Sequence, residues 1–407
     1  MLEAVRRFAC AAVLLAAAMG AAALTPALAF AADRLYRPFV DGRPHPLQRV
    51  LRAVQPVAEA APGAAPLAAG APGANPLARF GTLPATYGGV LPCADCQGIR
   101  QTLDLYADGA FHWRSTYLGK PPTEAPDDVG RWLFASDNRT LLLFGGRDTP
   151  VRFVASDDGA LQLQDLDGRP IQSSFHYELR RAPGAFTPFE ARATLVGAYV
   201  YVADAASFTD CATGRRMPVA AEGEALALER AYTAAKLPPA TPRLALVAGR
   251  IAQQQPMEGP GPRATLVVER FIRLEKPGDA CPPPPVNASL AGTRWRLTRL
   301  ERNAVVESAR QREAWVQFDA TQSRLAGSGG CNTVTGSYAL DGDALRFSKV
   351  AGTMMACRDG AQQERAFVAM LGTVQRWLVA GQTLEFLDTE AALVARFEAA
   401  PDTLRAR

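Results

Sequence analysis

Between Gly98 and Gly119 apolar and polar residues alternate in two runs. Arg100-Gln101-Thr102-Leu103-Asp104-Leu105-Tyr106 leads into Ala107-Asp108-Gly109-Ala110, and Phe111-His112-Trp113-Arg114-Ser115-Thr116-Tyr117-Leu118 returns. A period of two around a Gly-containing break predicts a β-hairpin. The pattern continues through Arg131–Phe134, Thr140–Phe144, Val151–Val154, Leu161–Gln164 and His176–Leu179, with turns at Ser136-Asp137-Asn138, Gly145-Gly146 and Asp167-Gly168. Short strands at such regular spacing predict an antiparallel barrel, although pattern alone does not separate a barrel from a sandwich.

Further on, Thr194–Tyr201, Leu244–Ile251 and Thr265–Leu274 read as strands. Leu226–Ala235 reads as a helix with Leu228, Ala231, Tyr232 and Ala235 on one face. After Cys281-Pro282-Pro283-Pro284-Pro285, a stiff spacer, strand patterns resume at Leu290–Leu297 and Leu345–Phe347. Phe367, Met370, Leu371, Val374 and Leu378 fall at helical spacing and predict one amphipathic helix packed on a sheet. The fold class is mainly β.

The N-terminal part has a different character. Arg6 and Arg7 precede an apolar run from Ala9 to Leu24, and Ala27-Leu28-Ala29 and Ala29-Phe30-Ala31 are small-x-small cleavage sites. Residues 1–31 are therefore expected to be a signal peptide, with the mature chain beginning near Phe30 or Ala32. Residues 32–80 are rich in Ala, Pro and Gly and read as a flexible spacer. No later stretch is long and apolar enough to span a bilayer, so no integral membrane segment is expected after cleavage and the expected location is periplasmic.

Charge narrows the function classes. The net charge is +4 over 407 residues, with Lys and Arg spread out, so nucleic acid is not an expected partner. The chain has only three His, one of them in the spacer, and neither a Gly-rich phosphate loop nor a His-Glu-x-x-His motif. No Ser/His/Asp constellation is apparent, and a non-enzyme is expected.

Past the signal lie six cysteines: Cys93, Cys96, Cys211, Cys281, Cys331 and Cys357. An even number in an exported chain suggests disulfides, with about fifteen connectivities open. Domain boundaries favour one pair per domain, Cys211 with Cys281 and Cys331 with Cys357. Closing those long loops adds roughly 4 and 3.5 kcal/mol, against at most roughly 2 kcal/mol for Cys93 with Cys96. The short pair stabilises least and is the one for which a non-structural role is worth considering.

The stretch Gly89-Val90-Leu91-Pro92-Cys93-Ala94-Asp95-Cys96-Gln97-Gly98-Ile99 before a strand is more specific than a bare Cys-x-x-Cys. It resembles the N-terminal domain of the NlpE family, envelope proteins tied to copper homeostasis and stress sensing. Ala203–Gly214 with Met217-Pro218-Val219 resembles the C-terminal domain of the same family. Gly330-Cys331-Asn332-Thr333-Val334-Thr335-Gly336-Ser337-Tyr338 with Met355-Ala356-Cys357 resembles the META, or HslJ-like, domain. The resemblance implies a small lipocalin-like barrel over 81–181, an OB-type barrel over 184–281 and a META domain over 290–399. It also implies a lipoprotein, but the one early cysteine, Cys10, precedes most of the apolar run, where no lipobox would put it. A soluble periplasmic protein is therefore expected.

Cys93 and Cys96 can form a local disulfide, structural or redox-responsive, or hold a soft metal, with Cu(I) the natural ion. No βαβ context surrounds them, which speaks against a thiol oxidoreductase. His112, on the following hairpin, is a weaker candidate for a third ligand. Met354 and Met355 beside Cys357 are read as core packing, and Asp204 and Asp210 as turn or capping residues. By resemblance the chain would report envelope stress to a sensor kinase. The alternatives are a periplasmic Cu(I) buffer, a carrier of a small apolar ligand in the first barrel, and an inhibitor of a secreted hydrolase.

Overall fold

The computed structural model describes residues 80–121, 125–256, 259–301, 303–305, 313–356 and 360–400. The signal segment, nearly all of the spacer, and Cys10 and Cys357 lie outside the described residues.

The first domain is a closed antiparallel barrel of β1 (Ala85–Leu91), β2 (Gly98–Leu105), β3 (Ala110–Leu118), β4 (Asp128–Phe134), β5 (Thr140–Phe144), β6 (Val151–Ala155), β7 (Leu161–Leu163) and β8 (Glu178–Arg181), each paired with the next. Closure comes from β8 returning to β1, with Tyr87 opposite Arg181. The alternation seen in the sequence sets the two faces. In β2, Ile99, Gln101, Leu103 and Leu105 are buried while Arg100 is exposed. Register carries the inward face from Tyr87 to Leu103 and on to Trp113.

The second domain is a five-stranded sheet in the order β11-β10-β9-β12-β13, where β9 is Ala191–Val202, β10 Ala205–Asp210, β11 Arg216–Pro218, β12 Arg243–Gln254 and β13 Arg263–Leu274. A parallel bridge from Val219 to Leu266 brings the β11 end of the sheet back toward β13, as an OB-type barrel requires. Helix α1 (Ala225–Ala234) buries Leu228 and Tyr232. Ala231 is half-buried, and Ala235, expected on the same face, is exposed because the helix has already ended there. A disulfide joins Cys211 to Cys281, with Cα atoms 5.1 Å apart.

The third domain holds β14 (Arg294–Leu300), β15 (Asn303–Ala304), β16 (Trp315–Asp319), β17 (Arg324–Ser328), β18 (Thr333–Asp341), β19 (Ala344–Gly352), β20 (Arg376–Ala380), β21 (Thr383–Leu387) and β22 (Leu393–Ala399). β14 also pairs with β22, so the sheet curls onto itself around Trp295, Phe318, Phe367, Phe386 and Phe397. Helix α2 (Ala361–Thr373) buries Phe367, Met370 and Leu371 in that core. The helical spacing extends to Leu378, but the helix stops at Thr373. Val374 is extended, and Leu378 sits in β20 opposite Glu385, so sheet pairing overrides the local periodicity.

The proline run does not hold the third domain away from the first. Leu378 and Ala380 pack against Ala135 and Leu142 of the barrel wall. The Ser136 N–H donates to the Val379 carbonyl at 2.9 Å, and the Val379 N–H donates to Ser136 Oγ at 2.9 Å. Arg152 grips Glu385 with two hydrogen bonds of 2.8 and 2.9 Å, both side chains being buried. Arg396 donates to the same carboxylate at 3.0 Å, and Arg299 pairs with Asp167.

The second domain is also fastened to the barrel. Arg114 is bidentate to Asp127 at 2.9 and 2.7 Å and donates to the Glu190 carbonyl at 2.7 Å. Asp127 in turn accepts from the Arg192 N–H, and Arg215 is bidentate to Asp108.

Candidate functional site

The loop between β1 and β2 carries Cys93 and Cys96. They form a disulfide with Cα atoms 5.3 Å apart. Both are half-buried, while Ala94 and Asp95 between them are exposed. The loop therefore sits at a barrel rim and is open to reagents. Its shape depends on glycine. Gly98 has φ +145°, and a Cβ there would lie 2.6 Å from Val90 Cγ1, so no other residue fits at the start of β2 without displacement. Gly119 plays the same part at the end of β3, where a Cβ would meet Gln97 at 2.8 Å.

The sequence reading missed Asp95. Ligand atoms of Cys93, Asp95 and Cys96 all lie within 4.8 Å of one another. Asp95 Oδ1 is 3.4 Å from Cys93 Sγ, and Oδ2 receives a hydrogen bond from Lys120 Nζ at 2.6 Å. The Gln97 N–H donates to the Leu118 carbonyl at 3.1 Å, tying the loop to the end of β3. The signal for Asp95 was its place inside the Cys-x-x-Cys; Lys120, far along the chain, had none.

Two thiolates fit a soft ion, and a carboxylate oxygen is a poor match for one. In this structure the pair is in its oxidised, closed form. The disulfide has no thiolates to offer; two-electron reduction gives two thiolates, or two thiols once each takes up a proton. Asp95 and Lys120 would then position the loop and set its charge.

His112 does not join this site. It lies on β3 six positions from Leu118, about 20 Å along the strand. It is neither superficial nor half-buried, being 2% exposed on the outer wall of the barrel. Nδ1 is 3.2 Å from the Tyr106 hydroxyl, and Nε2 has no partner. Phe189, from the segment leading into the second domain, covers the ring edge-on at 6.2 Å. Burial, with the positive Arg215 nearby, holds the imidazole pKa down at about 3, so the ring is neutral. Beside it, burial raises the Asp104 carboxyl pKa, partly offset by donors from Thr86 and the Phe189 backbone.

Met354 and Met355 are 97% and 56% exposed, so the expectation of core packing is wrong. Asn332 explains why: its Oδ1 accepts from the Met355 N–H at 2.8 Å and from Thr353 Oγ1 at 2.9 Å, fixing the loop with its side chains outward. Cys331 is disulfide-bonded and its expected partner Cys357 lies outside the described residues. Asp210 accepts from the Thr213 N–H and hydroxyl at 2.8 and 2.6 Å, and Asp204 occupies a turn with φ +58°.

A cleft of about 450 Å³ opens beside Phe80, Tyr87, Asp158 and Arg181. Its arginines are spent internally: Arg180 on Glu178 and Asp158, Arg181 on the Phe80 and Thr82 carbonyls.

Comparison with known proteins fits this architecture. Residues 87–174 match the NlpE N-terminal domain, 190–282 the NlpE C-terminal OB domain and 288–401 the META domain. The lipoprotein NlpE of Escherichia coli strain K12 is 42% identical over 159 residues, which are 38% of this chain and 62% of that protein. The chain thus spans less than two thirds of that relative's length. The crystal structure of the Cpx pathway activator NlpE from Escherichia coli is 34% identical, covers 47% of this chain and 96% of its own, and gives a TM-score of 0.20. An NMR structure of a Burkholderia xenovorans protein, 24% identical, covers 31% of this chain and 98% of its own at a TM-score of 0.25. The first two domains are therefore an NlpE N-terminal domain and an NlpE C-terminal OB domain, and the third is a META domain.

Proposed function

We propose that this chain is a non-enzymatic envelope protein that reports stress to a sensor kinase and takes part in copper homeostasis, with Cys93 and Cys96 as its redox- or metal-readable element. The observation that carries this reading is the exposed rim loop in which two sulfurs and the Asp95 carboxylate lie within 4.8 Å. The Escherichia coli relative is a Cpx pathway activator, which supports a signalling role of the same kind here. The mechanism is conformational. A dithiol reductant would open the pair, giving two electrons and two protons and itself becoming a disulfide; Cys93 and Cys96 would then hold Cu(I) through their deprotonated sulfurs, and the altered loop is what a partner would read.

The test is a Cu(I) titration of the reduced full chain against a chromophoric competitor. One equivalent should be held tightly, and a Cys93→Ser, Cys96→Ser variant should lose it. Unchanged affinity in that variant would remove the metal reading from this loop.

A further inference from the structure

In a closed barrel of eight strands the interior is either filled by side chains or holds one small ligand. Two inward side chains here leave donors unmatched. Gln101 on β2 is fully buried; its Oε1 accepts from Ser115 Oγ at 2.8 Å, and its Nε2 has no partner. Trp113 on β3 is 2% exposed, and its Nε1 has no partner either. Other indoles in the chain are satisfied: Trp132 donates to the Tyr106 carbonyl, Trp295 to Leu290 and Trp377 to Gly342. A buried donor without an acceptor is costly, and native folds rarely leave two together.

The two donors are neighbours. Gln101 lies opposite Ser115 and Leu103 opposite Trp113, so Gln101 and Trp113 are diagonal partners on the inner face. Asp128 lies opposite Trp113 on β4, and the Arg147 guanidinium stands over the Trp113 ring, 4.8 Å from its centroid. Arg147 and Asp128 pair at 3.3 Å and keep some exposure, at the rim where the cysteine loop also sits.

We propose that this end of the barrel interior binds a small amphiphile, whose acceptor oxygen takes the N–H groups of Gln101 and Trp113. The unmatched atoms are donors, so the ligand supplies an acceptor. Leu103 and Phe153, the latter 6.0 Å ring to ring from Trp113, give the tail an apolar wall. The Arg147–Asp128 pair is close to neutral, so a carboxylate and an ester carbonyl both satisfy the donors. The inference does not depend on the chemistry of the cysteines.

The test uses the full chain labelled with 15N at tryptophan, with the Trp113 indole resonance assigned through Trp113→Phe. Octanoate, methyl octanoate and octyltrimethylammonium are the probes; the last has the tail without an acceptor oxygen. The Trp113 resonance should shift saturably with octanoate, with the ester, or with both, and the pattern identifies the headgroup. Gln101→Leu, which removes a buried polar group and so should fold, should weaken that binding roughly tenfold, the scale of one lost hydrogen bond. No shift with either oxygen-bearing probe, an equal shift with the ammonium probe, or unchanged affinity in Gln101→Leu would overturn the proposal.

Discussion

His112 gives the chain a specific acid sensitivity at the junction of its first two domains. Its imidazole pKa falls from 6.5 to about 3 in the fold, first through burial and then through Arg215, with Asp108 acting weakly the other way. Between those values the unfolded chain binds a proton that the native chain refuses. Stability is therefore complete above about pH 6.5 and is lost as pH falls toward 3. From 6.5 down to pH 5 is about 1.5 units, worth about 2 kcal/mol at about 1.36 kcal/mol per unit. Any native value below about 4 gives nearly the same figure at pH 5.

The variant is His112→Phe, which keeps an aromatic ring between Tyr106 and Phe189. It orphans the Tyr106 hydroxyl, but that group is pushed up to about 12, chiefly by burial, and its loss is independent of pH over this range. Asp104, with its raised pKa, works in the opposite direction in both proteins and cancels in the comparison. Urea unfolding followed by tryptophan fluorescence at pH 7 and pH 5 should show the natural chain losing about 2 kcal/mol more than the variant. Equal losses in the two proteins would refute the assignment.

Other outcomes follow from the same contacts. Glu385→Gln leaves Arg152 and Arg396 facing a neutral amide at a buried contact and should destabilise by about 3–5 kcal/mol; the joint change to Met of Arg152 and Glu385 should recover most of it, as read by urea unfolding and by proteolysis after Cys281. Cys211→Ser opens a 70-residue separation and should cost about 4 kcal/mol, while Cys93→Ser with Cys96→Ser should cost no more than about 2 kcal/mol.

The strands of the first barrel were legible because alternation decides which face is buried, and the turns at Asp108-Gly109 and Asp167-Gly168 bounded them. The end of α2 was not legible, since Leu378 fits a helical period and only its pairing with Glu385 makes it a strand residue. The cysteine pair was visible from spacing alone. Asp95 was missed because its role comes from Lys120, which the fold delivers from the end of β3. The burial of His112 was not legible either: Phe189, which covers its ring, and Phe186, which packs on the neighbouring Tyr106, belong to a segment whose destination the sequence does not state. The docking of the third domain on the first was likewise hidden, because Arg152 and Glu385 are 233 positions apart.

The most direct measurement of the proposed function is an envelope-stress reporter read in cells that carry the full chain or its Cys93→Ser, Cys96→Ser variant, each with and without added copper. Both proteins should accumulate to similar levels, since this short loop contributes little stability. The account predicts a copper-dependent rise in reporter output with the natural chain and none with the variant. An equal rise with both proteins would contradict it.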